Sequence, residues 1–252
     1  LKEFEIAENE SKLNINGLFG YTSYESVQYF EDVKLSARNT VPGDMPGLHY
    51  VFFKYIIAIN HFNNELTIIE NLLEGESSAI QSIERILENN NVATYQFEAI
   101  GDEKCDISDE DFKRMVTRGK QECQKGNVFQ IVLSRRFYQQ YKGDDFMLYR
   151  TLRSVNPSPY LFYFNFGDFR IFGSSPEAHL VVDVKKQKAY IKPIAGTFRR
   201  TGDDEKDFQL AEKLRNDKKE NAEHVMLVDL ARNDLSRNTD QVEVEVFREV
   251  QY

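Results

Sequence analysis

Surplus positive charge, cysteine and long apolar runs are what this 252-residue sequence has least of. It carries 41 acidic against 32 basic side chains, a net charge of −9. A dedicated nucleic-acid binder neutralises phosphates with a basic footprint, so that class is set aside and no nucleic acid is expected as a partner. Two cysteines, Cys105 and Cys123, are too few for a disulfide scaffold, and no signal peptide is recognisable, so a cytoplasmic location is expected. The longest apolar run, residues 55–59, is far short of the roughly 20 residues that span a bilayer, so no membrane role is expected. Neither cysteine sits in the G-x-C-x-G elbow that a glutaminase nucleophile needs. The inverted zinc pattern H-x-x-E-H also fails, because position 220 is glutamate where that pattern needs histidine. There is no repeat and no low-complexity segment. The sequence starts at Leu1 without methionine and stops at Tyr252, beside the strand-like run 242–246; both ends look cut.

What is present is an ordinary globular composition, 41% hydrophobic and 29% charged, at a length that suits one large α/β domain or two small ones. The stretch from Lys192 to Arg237 concentrates the chemistry. Pro193 supplies no backbone donor and ends a strand-like run from Ala189. Gly196 has no Cβ and allows close approach of a ligand to the backbone, and Thr197 adds a hydroxyl beside it. This turn could cradle a carboxylate, although a lone Gly-Thr turn is more often only a turn. An acidic loop follows, and then helical spacing through Leu227, Val228, Leu230 and Ala231. Glu220 and Glu223 fall three apart on one face of that helix. Like charges so placed repel, and a hard divalent cation such as Mg²⁺ would relieve them; a solvated face neutralised by Lys218 and Lys219 is the plainer alternative.

Elsewhere the pattern predicts a strand over 48–60, turned at Asn63-Asn64 into 66–70, and a helix over 77–89. A short strand at 94–100 precedes a connector at 102–106, where a soft boundary divides 1–105 from 106–252. Ser108 caps a helix that Gly126 ends. Residues 128–136 read as a strand in which Gln130, Val132, Ser134 and Arg136 share a face; Gln130 is a neutral hydrogen-bonding group if that face lines a cavity, and decoration if it meets solvent. A helix over 146–155 is broken by Asn156-Pro157-Ser158-Pro159-Tyr160, and a hairpin follows over 161–173. Glu177 leaves that hairpin at a strand end, where a desolvated carboxyl could hold a proton near neutral pH; an exposed turn carboxylate is the alternative.

The segments Lys192-Pro-Ile-Ala-Gly-Thr197, Asp217-Lys-Lys-Glu-Asn-Ala-Glu-His224 and Met226-Leu-Val-Asp-Leu-Ala-Arg-Asn-Asp234 together resemble the chorismate-utilising enzymes, in particular their anthranilate-forming branch. Gly126-Asn-Val-Phe-Gln-Ile-Val-Leu-Ser134, Asn156-Pro-Ser-Pro-Tyr160 and Gly173-Ser-Ser-Pro-Glu177 match in the same order. The resemblance implies an α/β (α+β) sandwich of two packed antiparallel β-sheets covered by helices, incomplete in this chain. Residues 1–105 would be a remnant of the regulatory or partner side, and 106–252 the first half of a catalytic domain.

It further implies that Glu220 and Glu223 hold Mg²⁺, that Glu177 protonates the departing C4 hydroxyl of chorismate, and that Ala195, Gly196 and Thr197 contact the substrate. Gln130 stands where water-activating relatives carry lysine, and Ala195 where aminodeoxychorismate synthases often carry a nucleophilic lysine. Both choices fit ammonia as nucleophile, giving anthranilate and pyruvate on the route to tryptophan. The ammonia would come from a glutamine amidotransferase partner in a hetero-oligomer, and Asn156 to Tyr160 would sense tryptophan as feedback inhibitor. The alternatives are an aminodeoxychorismate synthase component and a catalytically inactive tryptophan-sensing or partner-binding fragment. Residues 198–202 depart from the family pattern, and an early Leu-Leu-Glu-Ser segment is missing.

Overall fold

The computed structural model describes residues 15–35 and 45–250. The described residues form two compact units, one running to Asp144 and including Phe164–Arg170, the other comprising Asp145–Tyr163 and the chain from Ile171 onward.

In the first unit β1 (Leu18–Thr22) leads through a 3-10 turn (Tyr24–Tyr29) to β2 (Leu48–Phe52), then β3 (Tyr55–Asn60), β4 (Glu65–Glu70), α1 (Ile80–Glu88), β5 (Phe97–Cys105), α2 (Asp109–Gln124) and β6 (Phe137–Gly143). The pairs β1/β2, β3/β4 and β5/β6 are antiparallel. Gly20 makes the first pair possible, since a Cβ there would lie 1.9 Å from the His49 carbonyl oxygen. Tyr21, His49, Phe166 and Phe169 then pack as one aromatic cluster, His49 and Phe166 with ring centroids 4.3 Å apart.

The single strand expected over 48–60 is two strands. Asn71 breaks it, its amide side chain donating to the Phe53 carbonyl at 2.7 Å and its backbone N–H to the Lys54 carbonyl at 2.7 Å. The hairpin at Asn63-Asn64 forms as expected, Asn64 taking φ 56°. β5 continues to Cys105, through most of the connector expected at 102–106, and pairs with β6 across an irregularity between Ile100 and Lys104. Ladder bonds therefore join both sides of the boundary placed at 105/106, and the compact units divide at Asp144 instead.

The strand expected over 128–136 is also absent. This segment has no ladder partner among the described residues. It lies by its side chains on α2, where a Cβ on Gly119 would meet Ile131 Cγ2 at 3.2 Å and Leu133 Cδ1 at 3.6 Å. Pairing begins only at Phe137.

The second unit holds α3 (Asp145–Val155), β7 (Tyr160–Asn165), β8 (Arg170–Ser175), β9 (Val181–Asp183), β10 (Lys188–Tyr190), α4 (Asp204–Asn216) and α5 (Lys218–Ser236). The tip of the β7/β8 hairpin, Phe164–Arg170, is the part counted with the first unit. The acidic loop expected before α5 is the helix α4: Asp203 accepts from the backbone N–H groups of Glu205 and Lys206 at 3.2 Å each, which gives the acidic run an N-cap and places its charge at the favourable end of the dipole. No strand forms over 242–246.

The class is α/β with antiparallel pairing, as expected, but the strands stand as five two-stranded sheets among the described residues. Ala211 is the one buried apolar residue among them, while Ile59, Leu66 and Val182 are each at least half exposed. The total accessible surface is 21746 Å², against about 11,500 Å² for a compact folded chain of this mass.

Candidate active site

Three of the residues singled out from sequence meet in the second unit. The chain leaves β10 and turns at Pro193-Ile194-Ala195-Gly196-Thr197, with Gly196 at φ 55°. A Cβ on Gly196 would lie 2.8 Å from Glu220 Oε2 and 2.9 Å from Leu214 Cδ1. The missing side chain is thus what lets the first turn of α5 carry its carboxylate against the backbone of the glycine turn. Glu177 reaches the same turn, its Oε1 accepting from the Ile194 N–H at 3.4 Å. Glu177 is held at its base by Ser175, whose hydroxyl accepts from the Glu177 N–H at 3.2 Å and donates to the Glu177 carbonyl at 3.1 Å. It is solvent-exposed, so the desolvated setting considered for a proton-holding carboxyl is not formed by the described residues.

Asp217 fixes the start of α5, accepting from Lys219 N at 2.9 Å and Glu220 N at 3.1 Å. The cap sets the rotation of the helix, and with it the face shared by Glu220 and Glu223. The Glu220 side chain is only 22% exposed, and Lys219 Nζ lies 3.8 Å from its Oε1, so the neutralising lysine foreseen for the plainer reading is partly in place. No group of three or more His, Cys, Asp or Glu that could hold a metal occurs among the described residues. Two carboxylates on one helix face suit a hard cation that keeps several waters, but they supply only part of a coordination shell.

His224 is turned off this site. Its Nε2–H donates to the Phe247 carbonyl at 2.6 Å and its ring meets Phe247 edge-on, so it braces the segment after α5. Arg248 donates to the Arg215 carbonyl at 3.0 Å and to Asn221 beside it. Asn221, His224, Val225, Phe247 and Arg248 line a cavity of about 500 Å³.

Thr197 is exposed and Ala195 half-buried. Gln130 belongs to the first unit and is exposed in the irregular stretch before β6, so the strand face that would aim it is not there. Asn156 to Tyr160 link α3 to β7. The Asn156 carbonyl accepts from the Ser174 hydroxyl at 2.6 Å, and Tyr160 is 46% exposed.

One carboxylate escaped the sequence reading. Asp207 in α4 is buried, and it accepts from Thr201 N at 2.7 Å, Thr201 Oγ1 at 2.8 Å and Arg200 Nε at 3.2 Å. Those bonds, the Thr201 backbone N–H first, hold its carboxyl below the usual aspartate range. It ties down the loop that follows Thr197. The only signal was a threonine six residues ahead of an aspartate, which has no meaning until α4 is known to be a helix.

Comparison with known proteins gives a consistent result. The family described as chorismate binding enzyme matches residues 1–252. Anthranilate synthase component 1 of Acetivibrio thermocellus is 36% identical over 244 residues, covering 88% of this chain and 47% of that protein. The protein of the same name from Synechocystis is 50% identical over 140 residues, 54% of this chain and 28% of that one. The crystal structure of anthranilate synthase component I from Streptococcus pneumoniae superposes with a TM-score of 0.74 at 30% identity, over 99% of this chain and 58% of that chain. This chain spans about half the length of the curated relatives it matches.

Proposed function

The chain belongs to the chorismate binding enzyme family, and from that premise we propose that it supplies part of the active site of an anthranilate synthase component 1, the aminating component that converts chorismate and ammonia to anthranilate and pyruvate. The observation that carries this reading is the meeting of Glu177, Gly196 and Glu220 at one turn of the second unit.

In this reading the turn at Ala195, Gly196 and Thr197 receives the substrate, with backbone N–H groups and the Thr197 hydroxyl as donors to an anionic oxygen. Glu177, bonded to the same turn at Ile194, delivers a proton to the departing C4 oxygen, because a hydroxyl leaves poorly without one. Glu220 and Glu223 would hold Mg²⁺, which when bound offsets the negative charge of the substrate's ring carboxylate. By the family pattern, Gln130 stands where water-activating relatives carry lysine and Ala195 where a lysine nucleophile often stands, which fits ammonia as the nucleophile. A glutamine amidotransferase component is its source in a hetero-oligomer, tryptophan acts through residues 156–160, and the protein works in the cytoplasm.

A chimera tests this directly: residues 1–252 replace the matched half of the Acetivibrio thermocellus protein. Given chorismate, Mg²⁺ and ammonium, it should develop anthranilate fluorescence, and Glu220→Gln or Glu223→Gln should abolish it. A folded chimera that yields isochorismate, aminodeoxychorismate or no product overturns the reading.

A further inference from the structure

On the reading of Ala195, Gly196 and Thr197 as the turn that receives the substrate, we propose that Asp207 is a positioning residue: by clamping Thr201 and Arg200 to α4 it sets where Thr197 presents its hydroxyl. Thr197 is exposed, and its hydroxyl makes no hydrogen bond among the described residues. A hydroxyl with no bond of its own is free to rotate and takes its place only from the backbone that carries it.

That backbone is pinned on both sides. Upstream, the Ile194 N–H donates to Glu177, and Gly196 closes on Glu220 and Leu214. Downstream, only three residues separate Thr197 from Thr201. Thr201 donates both its N–H and its hydroxyl to Asp207 Oδ1, at 2.7 and 2.8 Å, while Arg200 Nε donates to Oδ2 at 3.2 Å. Phe198 is held to the same helix, with Lys213 Nζ 6.0 Å from its ring centroid. α4 in turn sends Leu214 to Gly196 and passes at Asp217 directly into α5, which carries Glu220. It is thereby the common base of the glycine turn and of the carboxylate that faces it.

The clamp is more than a brace for the helix. α4 already has its N-cap in Asp203, which accepts from the Glu205 and Lys206 N–H groups, so the Asp207 bonds are not needed to start it. A carboxylate whose side chain is 4% exposed is also a costly source of stability, which a well-packed apolar side chain supplies as well. What the charged group adds is fixed geometry, since three donors from two adjacent residues converge on it. The Thr201 hydroxyl also accepts from the Asp203 N–H at 3.2 Å, so the end of the loop and the start of α4 are joined at one atom.

The test uses the chimera described above, with threonine methyl groups labelled with carbon-13 and the Thr197 signal identified through Thr197→Ser. Asp207→Ala removes all three bonds, Thr201→Val removes the hydroxyl alone, and Thr201→Ser keeps both donors. Asp207→Ala and Thr201→Val should move or split the Thr197 methyl signal. They should also weaken chorismate binding, measured by calorimetry with Mg²⁺ and without ammonium, the first about tenfold and the second less. In turnover the KM for chorismate should rise by the same factors with kcat little changed, because a contact made equally to bound substrate and transition state acts on KM alone. Thr201→Ser should match the parent, and Ser108→Ala, a cap lost in the other unit, should change none of these. If Asp207→Ala does not fold, Thr201→Val decides by itself. A Thr197 signal and an affinity that the two variants leave unmoved, a fall in kcat at constant KM, or a Thr201→Ser that behaves like Thr201→Val each overturns the proposal. The resonance and binding arms need no turnover, so a chimera that forms no anthranilate counts against the proposed function while those arms still decide the clamp.

Discussion

At the residue scale, Asp207 and Gly196 set the geometry of the candidate site without contributing reactive groups. The Asp207 carboxyl is held below the ordinary aspartate value by the Thr201 N–H, the Thr201 hydroxyl and Arg200. A depressed folded-state value means that the clamp's stabilisation is fully present above the unfolded value of about 3.9 and is lost as pH falls through the lower, folded value. The side-chain carbon resonance of Asp207 should therefore titrate with a midpoint below that of a free aspartate, and Asp207→Asn should remove the titration and loosen residues 200–203. Gly196→Ala meets two obstacles, a positive φ and a Cβ 2.8 Å from Glu220 Oε2. The variant should lose about 1–3 kcal/mol from the strained backbone alone, read as a lowered unfolding midpoint of the chimera. An unchanged midpoint would mean that the turn relaxes freely and that Glu220 is not held against it.

The helices are governed by their caps. Ser108 Oγ accepts from Asp111 N and Asp217 accepts from two backbone N–H groups, so Ser108→Ala and Asp217→Ala should each cost about 1 kcal/mol in chemical denaturation of the chimera. On the proposed Mg²⁺ site, Asp217→Ala should also weaken Mg²⁺ binding, since it removes the cap beside Glu220, and Ser108→Ala should not. Helices whose ends are written locally were legible in the sequence: α2 between Ser108 and Gly126, α3 up to the Asn-Pro pair, and the hairpins at Asn63-Asn64 and Gly167. Glu177, the glycine turn and Glu220 were singled out by their motifs, and the fold brings those three together at one turn. Elements decided by distant partners were not. Residues 128–136 have strand composition but no strand to pair with among the described residues, the run at 102–105 reads as a connector yet belongs to β5, and 48–60 is interrupted where Asn71 binds Phe53 and Lys54. Periodicity reports which face a residue prefers; it does not report whether another chain segment waits across from it.

For the whole molecule, the net charge of −9 acts against the apolar strand faces. Copies of the chain repel one another at low ionic strength, and raising it from about 0.01 M to about 1 M shortens the screening length from about 30 Å to about 3 Å. Self-association of residues 1–252 alone should accordingly rise with salt in sedimentation velocity; association that falls with salt would show that ion pairs, not apolar strands, hold the copies together. The path of the chain has another effect. It passes between the two units at 144/145, returns at 163/164 and crosses again at 170/171. A protease nick after Asp144 therefore leaves the first unit without Phe166 and Phe169, the rings that pack on Tyr21 and His49. No single scission liberates either unit with all of its residues, and a gene cut at one point cannot deliver them as separable modules.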